Sequence, residues 1–237
     1  MEWFSRTELL VGKEGLEDLQ KSHVLIAGIG GVGSYSAEII VRSGIGEVSL
    51  IDSDMIKPSN RNRQLPALSS TENMMKGDVM AARLIDINPQ LKINKFSCFI
   101  KDEEIPEILN NKPDYIIDAI DSLTPKVNLI IEAVKREIPL ISCMGAGGKM
   151  DPSKIQIADI SQSYNCKLAR QLRKRLHKHG ILKGFEVVFS PEDVDKNHLI
   201  YLEDEQNKKT TLGTISYMPA LFGILAASQV IRKLLDS

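Results

Sequence analysis

"VLIAGIGGVGSYSAEIIVRSGIGEVSLIDSD", residues 24–54, decides the fold. An apolar run of strand length leads into Gly28-x-Gly30-Gly31-x-Gly33, and a helical stretch then carries the chain to a second apolar run ending in Asp52. In that strand–turn–helix setting the glycines allow a tight turn and bring backbone N–H groups and the positive end of a helix dipole against a phosphate. Asp52 stands where a carboxylate accepts hydrogen bonds from ribose hydroxyls. The stretch predicts a bound nucleotide and leaves NAD and ATP both open.

Working outward, strand-like runs at 23–29, 47–52, 91–96, 114–120 and 139–143 alternate with helical patterns at about 31–43, 72–87, 102–110 and 124–136. Near-continuous apolar strands separated by helices predict a doubly wound α/β fold, its mostly parallel sheet covered on both faces. After Gly148 the rhythm changes. "KIQIADI" and "FEVVFS" read as further strands flanking a basic helix, and a helix at about 219–235 closes the chain. One domain is expected, with a nucleotide-binding core over 1–148 and a C-terminal elaboration over 149–237.

Hydrophobic residues make up 43% and charged residues 26%, an ordinary globular balance. With a net charge of -1, affinity for nucleic acid must come from a local basic patch. Cys98, Cys143 and Cys166 stand far apart, which indicates neither a disulfide framework nor a zinc ribbon and fits a reducing cytoplasm. The N-terminus lacks the basic-then-apolar pattern of a signal peptide. "YMPALFGILAASQVI" contains a proline and falls short of the roughly 20 residues a membrane span needs. It is expected to be a buried helix, and no membrane association is expected.

"IDSDMIKPSNRNRQ" places Asp52, Asp54, Asn60, Arg61, Arg63 and Gln64 just beyond the second strand, where open α/β sheets hold ligands. Hydride transfer develops no phosphate charge, whereas adenylyl transfer does, and guanidinium forks stabilise it. Pairing of these arginines with surface carboxylates is the competing reading. Lys76, at the head of the next helix, reads either as a contact to the same phosphates or as a solvated lysine. Asp118 and Asp121 mark the rim of the fourth strand; Asp121 reads either as an oxygen ligand for Mg2+ on ATP phosphates or as a helix cap.

From Lys167 to Lys183 there are seven Lys or Arg and no acid. Leu168, Leu172 and Leu176 are expected to face inward, with Arg170, Arg173, Lys174 and Lys178 projecting outward. Such a face attracts a phosphate backbone through counterion release, though charge runs also mark plain solvated helices. Cys166, beside Lys167 at a helix start, reads as packing or as an activated thiol.

The glycine loop, "LIDSD", "SNRNRQ", a lysine before "VMAARLIDINP", and "IIDAIDS" together resemble the ubiquitin-activating-enzyme-like adenylyltransferases, the ThiF and MoeB superfamily. "SCMGAGGKMDPSKIQIADISQSYNCKLARQLRKRL" and "GTISYMPALFGILAASQVIRKLL" are similar to one bacterial branch, the tRNA threonylcarbamoyladenosine dehydratases. The resemblance implies ATP-dependent cyclisation of threonylcarbamoyladenosine beside the tRNA anticodon, through an acyl-adenylate. It implies that Asp52 binds ribose, that Asn60, Arg63 and Lys76 act on the phosphates, that Asp121 holds Mg2+, and that Arg6 enters the partner's site across a homodimer interface. It also allows a monovalent cation, Na+ or K+, near the Gly145–Lys149 loop or the C-terminal strands, and a link to a cysteine desulfurase or sulfur acceptor system. The chain departs from many superfamily members in lacking two C-x-x-C pairs for zinc. Competing functions are an adenylyltransferase for a ubiquitin-like sulfur carrier, an NAD-dependent oxidoreductase and a catalytically idle sulfur-transfer partner.

Overall fold

Five parallel strands, β1 (His23–Ala27), β2 (Glu47–Ile51), β3 (Lys92–Phe96), β4 (Tyr115–Asp118) and β5 (Leu140–Cys143), are continued by β6 (Gln156–Asp159) and β7 (Glu186–Phe189) into one sheet of order β3-β2-β1-β4-β5-β7-β6. β7 runs parallel to β5, and β6 closes the edge antiparallel to β7. This is a computed structural model; it describes residues 2–98, 100, 103–195, 199–201 and 210–236. A separate antiparallel ribbon pairs β8 (Leu199–Tyr201) with β9 (Thr210–Leu212).

The expected doubly wound sheet forms because alternate residues of each strand feed two cores. Val24, Ile26, Val48, Leu50, Ile117 and Ile141 pack beneath α2 (Gly33–Arg42), α3 (Lys76–Ile87) and α7 (Tyr217–Leu235). On the opposite face, Leu25, Ala27, Ile116, Val187 and Phe189 pack under α4 (Ile105–Leu109), α5 (Leu123–Lys135) and α6 (Lys167–Leu176). A period of two on strands buried on both faces accounts for their continuous hydrophobicity. Order reverses between β2-β1 and β4-β5, so the crevice at the carboxyl ends of β1 and β4 is the switch point where such sheets bind ligands.

Three elements differ from the sequence expectation. An N-terminal helix, α1 (Ser5–Lys21), kinks at Gly12, whose φ is 78°; Leu16 and Leu19 are buried while Leu9 and Leu10 are 88% and 86% exposed, which breaks the amphipathic period. α3 starts at Lys76 and not near residue 72, because Ser69–Thr71 form a 3-10 turn and Asn73 takes a φ of 64°. α7 extends to 19 residues, long and apolar enough by length and composition to cross a membrane. It lies in the core: Met218, Phe222, Ala226, Ala227 and Val230 are buried, and a Cβ at Gly223 would stand 2.3 Å from Val32 O of the loop before α2.

Candidate nucleotide site

The glycine loop is shaped by what its backbone touches. Gly28, at φ 90°, donates its N–H to Ile51 O at 2.8 Å, and a Cβ there would meet Ala119 O at 2.8 Å. A Cβ on Gly33 would fall 1.8 Å from Gly28 O, so α2 begins directly on the loop. Gly31 packs against Pro219 and the Arg63 backbone. Gly30 differs, since the nearest atom to a Cβ there is Gln64 Nε2 at 3.8 Å. No side chain caps α2, which leaves the positive end of its dipole for a ligand.

Asp52 follows β2 and accepts from Ile29 N at 2.6 Å and Asp54 N at 2.8 Å. Burial pushes its carboxyl above the ordinary range, and the charge of Lys76 opposes that shift. Lys76, buried at the first position of α3, donates to Asp54 Oδ2 at 2.6 Å and lies 4.0 Å from Asp52 Oδ1. Its ammonium is therefore held between the two acids that close β2.

A 3-10 turn, Pro58–Asn60, carries the arginines. Buried Asn60 accepts Lys57 N at 3.0 Å on its Oδ1, a bond that closes the turn. The two arginines then separate. Arg61 reaches outward to Glu72 at 3.1 Å, the surface pairing that residue type favours. Arg63 turns back, half-buried, with its Nη1 on Ser59 O at 2.9 Å and Asn62 Oδ1 at 2.8 Å. Burial lowers its pKa, and the charge of Asp121 opposes the shift, which brings these two residues into one electrostatic neighbourhood. Asn62 Nδ2 also donates to Thr214 O at 2.9 Å, and Gly148 N to Gly213 O at 2.8 Å. The 212–217 segment thus ties the arginine turn to the loop beyond β5.

Asp118 and Asp121 have different surroundings. Asp121 is exposed beyond β4, and the N-cap of α5 is Ser122, so Asp121 does not hold the cap position. Asp118, expected at the rim, is wholly buried because Lys126 of α5 donates to its Oδ2 at 2.7 Å and Ser142 Oγ donates to the same oxygen at 2.6 Å. Lys126 was not among the sequence candidates; a lysine in an apolar helix eight residues after a strand-end aspartate was the available signal.

On the basic helix, Ala169, Leu172 and Leu176 are buried and Arg170, Lys174 and Lys178 are exposed. Arg173 is a correction: it does not project outward but folds back, donating to Ser163 O at 2.7 Å, to Ser163 Oγ and to Ile160 O. Ile160 O already accepts Ser163 N and Ser163 Oγ, so the guanidinium adds a further donor there and supplies a charged one to Ser163 O. Arg175, absent from the sequence candidates, donates to Thr124 Oγ1 at 2.9 Å. It anchors the basic face at the head of α5, three residues from Asp121. Cys166 is buried before α6, and burial pushes the Cys143 thiol up to about 12. Arg6 is exposed on α1 near Leu9 and Leu10.

The donor set fits a nucleoside triphosphate. Gln64 is buried beside the glycine loop with its Nε2, a donor, nearest to Gly30, and among the described residues its Oε1 has no hydrogen-bond partner, an acceptor that a hydroxyl or amine of a nucleoside, though not a phosphate oxygen, would satisfy. Among the described residues no cluster of three or more His, Cys, Asp or Glu could cage a metal by itself. One exposed carboxylate suits Mg2+, which commonly takes one or two carboxylates and completes its shell with phosphates and water. The ThiF family model matches residues 4–237. The chain belongs to the ThiF family. Within this ThiF-family fold, it is 40% identical to a tRNA threonylcarbamoyladenosine dehydratase of Bacillus subtilis strain 168, over 98% of this chain and 94% of that protein. It is 34% identical to the Escherichia coli K12 protein of the same name, over 98% of this chain and 93% of that one. Its fold superposes with a TM-score of 0.91 on the crystal structure of E. coli TcdA in complex with ATP, at 33% identity over 99% of this chain and 94% of that chain.

Proposed function

We propose that this ThiF-family chain is an ATP-dependent tRNA threonylcarbamoyladenosine dehydratase. Adenylate chemistry asks the protein to align an acid with the α-phosphate and to stabilise charge as pyrophosphate leaves. The observation that carries the reading is the convergence of half-buried Arg63, with the Asp121 charge acting on it, and the buried Gln64 amide nitrogen on the glycine loop.

In the first step the carboxylate of the threonylcarbamoyl group attacks the α-phosphorus; an acyl O–P bond forms and the bond to the β-phosphate oxygen breaks, releasing pyrophosphate. A nitrogen or oxygen of the same side chain then attacks the activated carbonyl, its proton is lost, and AMP departs, so the substrate closes a ring and loses the elements of water. Asp52 receives the ribose hydroxyls, and the N-terminus of α2 with the Gly30 and Gly31 backbone meets the phosphates. Arg63 and Lys76 take up the charge that spreads over the α-phosphate and pyrophosphate. Asn60 and Gln64 line the same wall. The attacking group is already a carboxylate, so no strong base is assigned.

Several finer features belong to the same proposal. Asp121 would hold Mg2+, which supplies charge neutralisation at the phosphates when bound. Arg6 reaches the partner's site in a homodimer, a reading supported by the exposed Trp3, Leu9 and Leu10 beside it. tRNA lies on Arg170, Lys174, Arg175 and Lys178, and the protein works in the cytoplasm. A monovalent cation near Gly145–Lys149 and a sulfur-acceptor partner remain expectations of family membership. The test is mass spectrometry of nucleosides from threonylcarbamoylated tRNA incubated with protein and Mg-ATP. Loss of one water in the unmodified protein, abolished in Asp121→Ala and Arg63→Ala, is the expected result; an unchanged nucleoside overturns the proposal.

A further inference from the structure

A fully buried polar cluster lies beneath the candidate site, and the proposed chemistry leaves it without a role. Lys126, with 0% side-chain exposure, donates to Asp118 Oδ2 at 2.7 Å, to Ser142 Oγ at 3.1 Å and to Cys143 O at 3.1 Å. Ser142 Oγ donates in turn to Asp118 Oδ2 at 2.6 Å. The other carboxylate oxygen, Asp118 Oδ1, accepts Ile120 N at 3.1 Å.

A buried ion pair is a poor way to stabilise a fold, since apolar residues of the same volume do as well or better. Its value lies in fixing one arrangement, and here the arrangement is the turn after β4. Ala119 N bonds to Ala27 O at 2.8 Å, Ile120 N is held by Asp118, and Ala119 O is the surface on which Gly28 rests. Asp121 is the next residue. The cluster also joins three parts of the protein: β4 through Asp118, α5 through Lys126 and β5 through Ser142. All three side chains are shut off from solvent, so the turn has one satisfied geometry and any other leaves a charge or hydroxyl unpaired.

From this geometry we infer that Lys126 is a positioning residue: acting through Asp118 and Ser142, it fixes the 118–121 turn so that the Asp121 carboxylate meets the Mg2+ of the nucleotide. The inference rests on the reading of Asp121 as the residue that holds Mg2+. It distinguishes nucleotide affinity without metal, governed by the glycine loop, Asp52 and Arg63, from the increment that metal adds.

The test measures ATP binding by calorimetry in EDTA and in Mg2+ for the unmodified chain, Asp121→Ala, the neutralised pair Asp118→Asn with Lys126→Met, and Ser142→Ala. The double variant avoids stranding a buried charge, and Ser142→Ala keeps both charges and removes one hydroxyl, so at least one of the two keeps the fold. The unmodified chain is expected to bind ATP at least tenfold more tightly with Mg2+, and Asp121→Ala to lose that ratio. The double variant is expected to lose it too, with affinity in EDTA within about threefold of the unmodified chain, and Ser142→Ala to reduce it severalfold. No metal ratio in the unmodified chain, or one that survives Asp121→Ala, overturns the Asp121 reading and the inference with it. A ratio lost in Asp121→Ala and retained in the folded cluster variants overturns the inference alone. An equal loss of affinity with and without metal also overturns it, because that is what a merely structural role produces.

Discussion

Lys76 Nζ donates to Asp54 Oδ2 across 2.6 Å, and the two side chains differ sharply in setting: 7% of Lys76 is exposed against 68% of Asp54. The ammonium is fixed in the protein wall, and its partner carboxylate stands in solvent, where an arriving phosphate competes for the same charge. An ion pair with one exposed member contributes at most about 1 kcal/mol to stability. Lys76→Ala also removes the charge that opposes the burial of Asp52, so it is expected to lower stability in urea by roughly 1–3 kcal/mol. Pyrophosphate release from ATP and threonylcarbamoylated tRNA should fall by about 10²-fold to 10³-fold, the usual cost of removing one electrostatic stabiliser. A loss of activity that only tracks a loss of folded protein would contradict this.

The glycines separate folding from binding. Gly33→Ala forces a methyl to within 1.8 Å of Gly28 O, and no rotamer relieves a clash with backbone. The expected cost is roughly 1–3 kcal/mol or more, read from urea unfolding. Gly30→Ala meets nothing nearer than Gln64 Nε2 at 3.8 Å, so stability should change little. Its methyl enters the space assigned to phosphate, and ATP affinity should fall about tenfold, equivalent to about 1.4 kcal/mol. Equal ATP binding in Gly30→Ala and the unmodified chain would remove the loop from the nucleotide site.

Much of the fold is legible in residue order. Gly28, Gly30 and Gly33 after an apolar run dictate a strand, a turn and a helix, and the alternation of such units leaves a parallel sheet as the economical way to bury every strand. Asp52 and the arginine turn follow from where strands end. Residue order does not separate Arg61 from Arg63, because both are arginines two residues apart and only the 3-10 turn sends one to Glu72 and the other inward. Arg173 departs from its expected place for a related reason: helical spacing puts it on the basic face, but the carbonyls of Ile160 and Ser163, ten and more residues away, supply better partners than water. Lys126 is not legible because burial of a helix charge needs Asp118 and Ser142 from two separate strands, a constraint that no local pattern records. α1 escapes for want of a continuous apolar stripe.

At the opposite end of the sheet, His23 gives the fold a pH dependence. Its Nε2 lies 2.8 Å from Ser49 Oγ. Burial depresses its pKa below 6.5, outweighing Glu47, the Asn111 backbone and Asp114, which act in the other direction. Because the folded state takes up a proton less readily than the unfolded chain, the stability tied to neutral His23 is present above about pH 6.5 and is lost as pH falls through the lower folded value. Chemical denaturation at pH 7.5 and at steps down to pH 5.5 should show stability falling on acidification, with a shallower fall in His23→Gln. An equal slope in both proteins would assign the dependence to other groups.

The basic helix makes two opposite predictions for neighbouring arginines. Alanine at Arg170, Lys174 and Lys178 together removes exposed charge and no internal hydrogen bond of Arg173, so the fold should hold while tRNA affinity drops. The slope of log affinity against log salt should flatten by about 0.7–0.9 for each phosphate that the variant no longer neutralises. Arg173→Ala should do the reverse, leaving the salt slope unchanged and destabilising the protein by about 1–3 kcal/mol, because the carbonyls of Ile160 and Ser163 lose a charged donor. Filter binding across a salt series, paired with urea unfolding, reads both quantities; a flattened slope in Arg173→Ala would return that residue to the tRNA surface.

Arg6 and Asp121 test the dimer without measuring mass. In the proposed arrangement each site uses its own Asp121 and the partner's Arg6, so Arg6→Ala and Asp121→Ala homodimers are both impaired. Refolding or exchanging equal amounts of the two variants gives half heterodimers, and in each of these one of the two sites has an intact Asp121 facing an intact Arg6 while the other has neither. Activity should therefore recover to about a quarter of the unmodified level in a symmetric two-fold dimer. If Arg6 serves its own chain, no site in the mixture is complete and nothing recovers. Charged substitution of the exposed pair, Leu9→Glu with Leu10→Glu, should block the recovery when introduced into both variants, since the apolar surface beside Arg6 would then repel its copy.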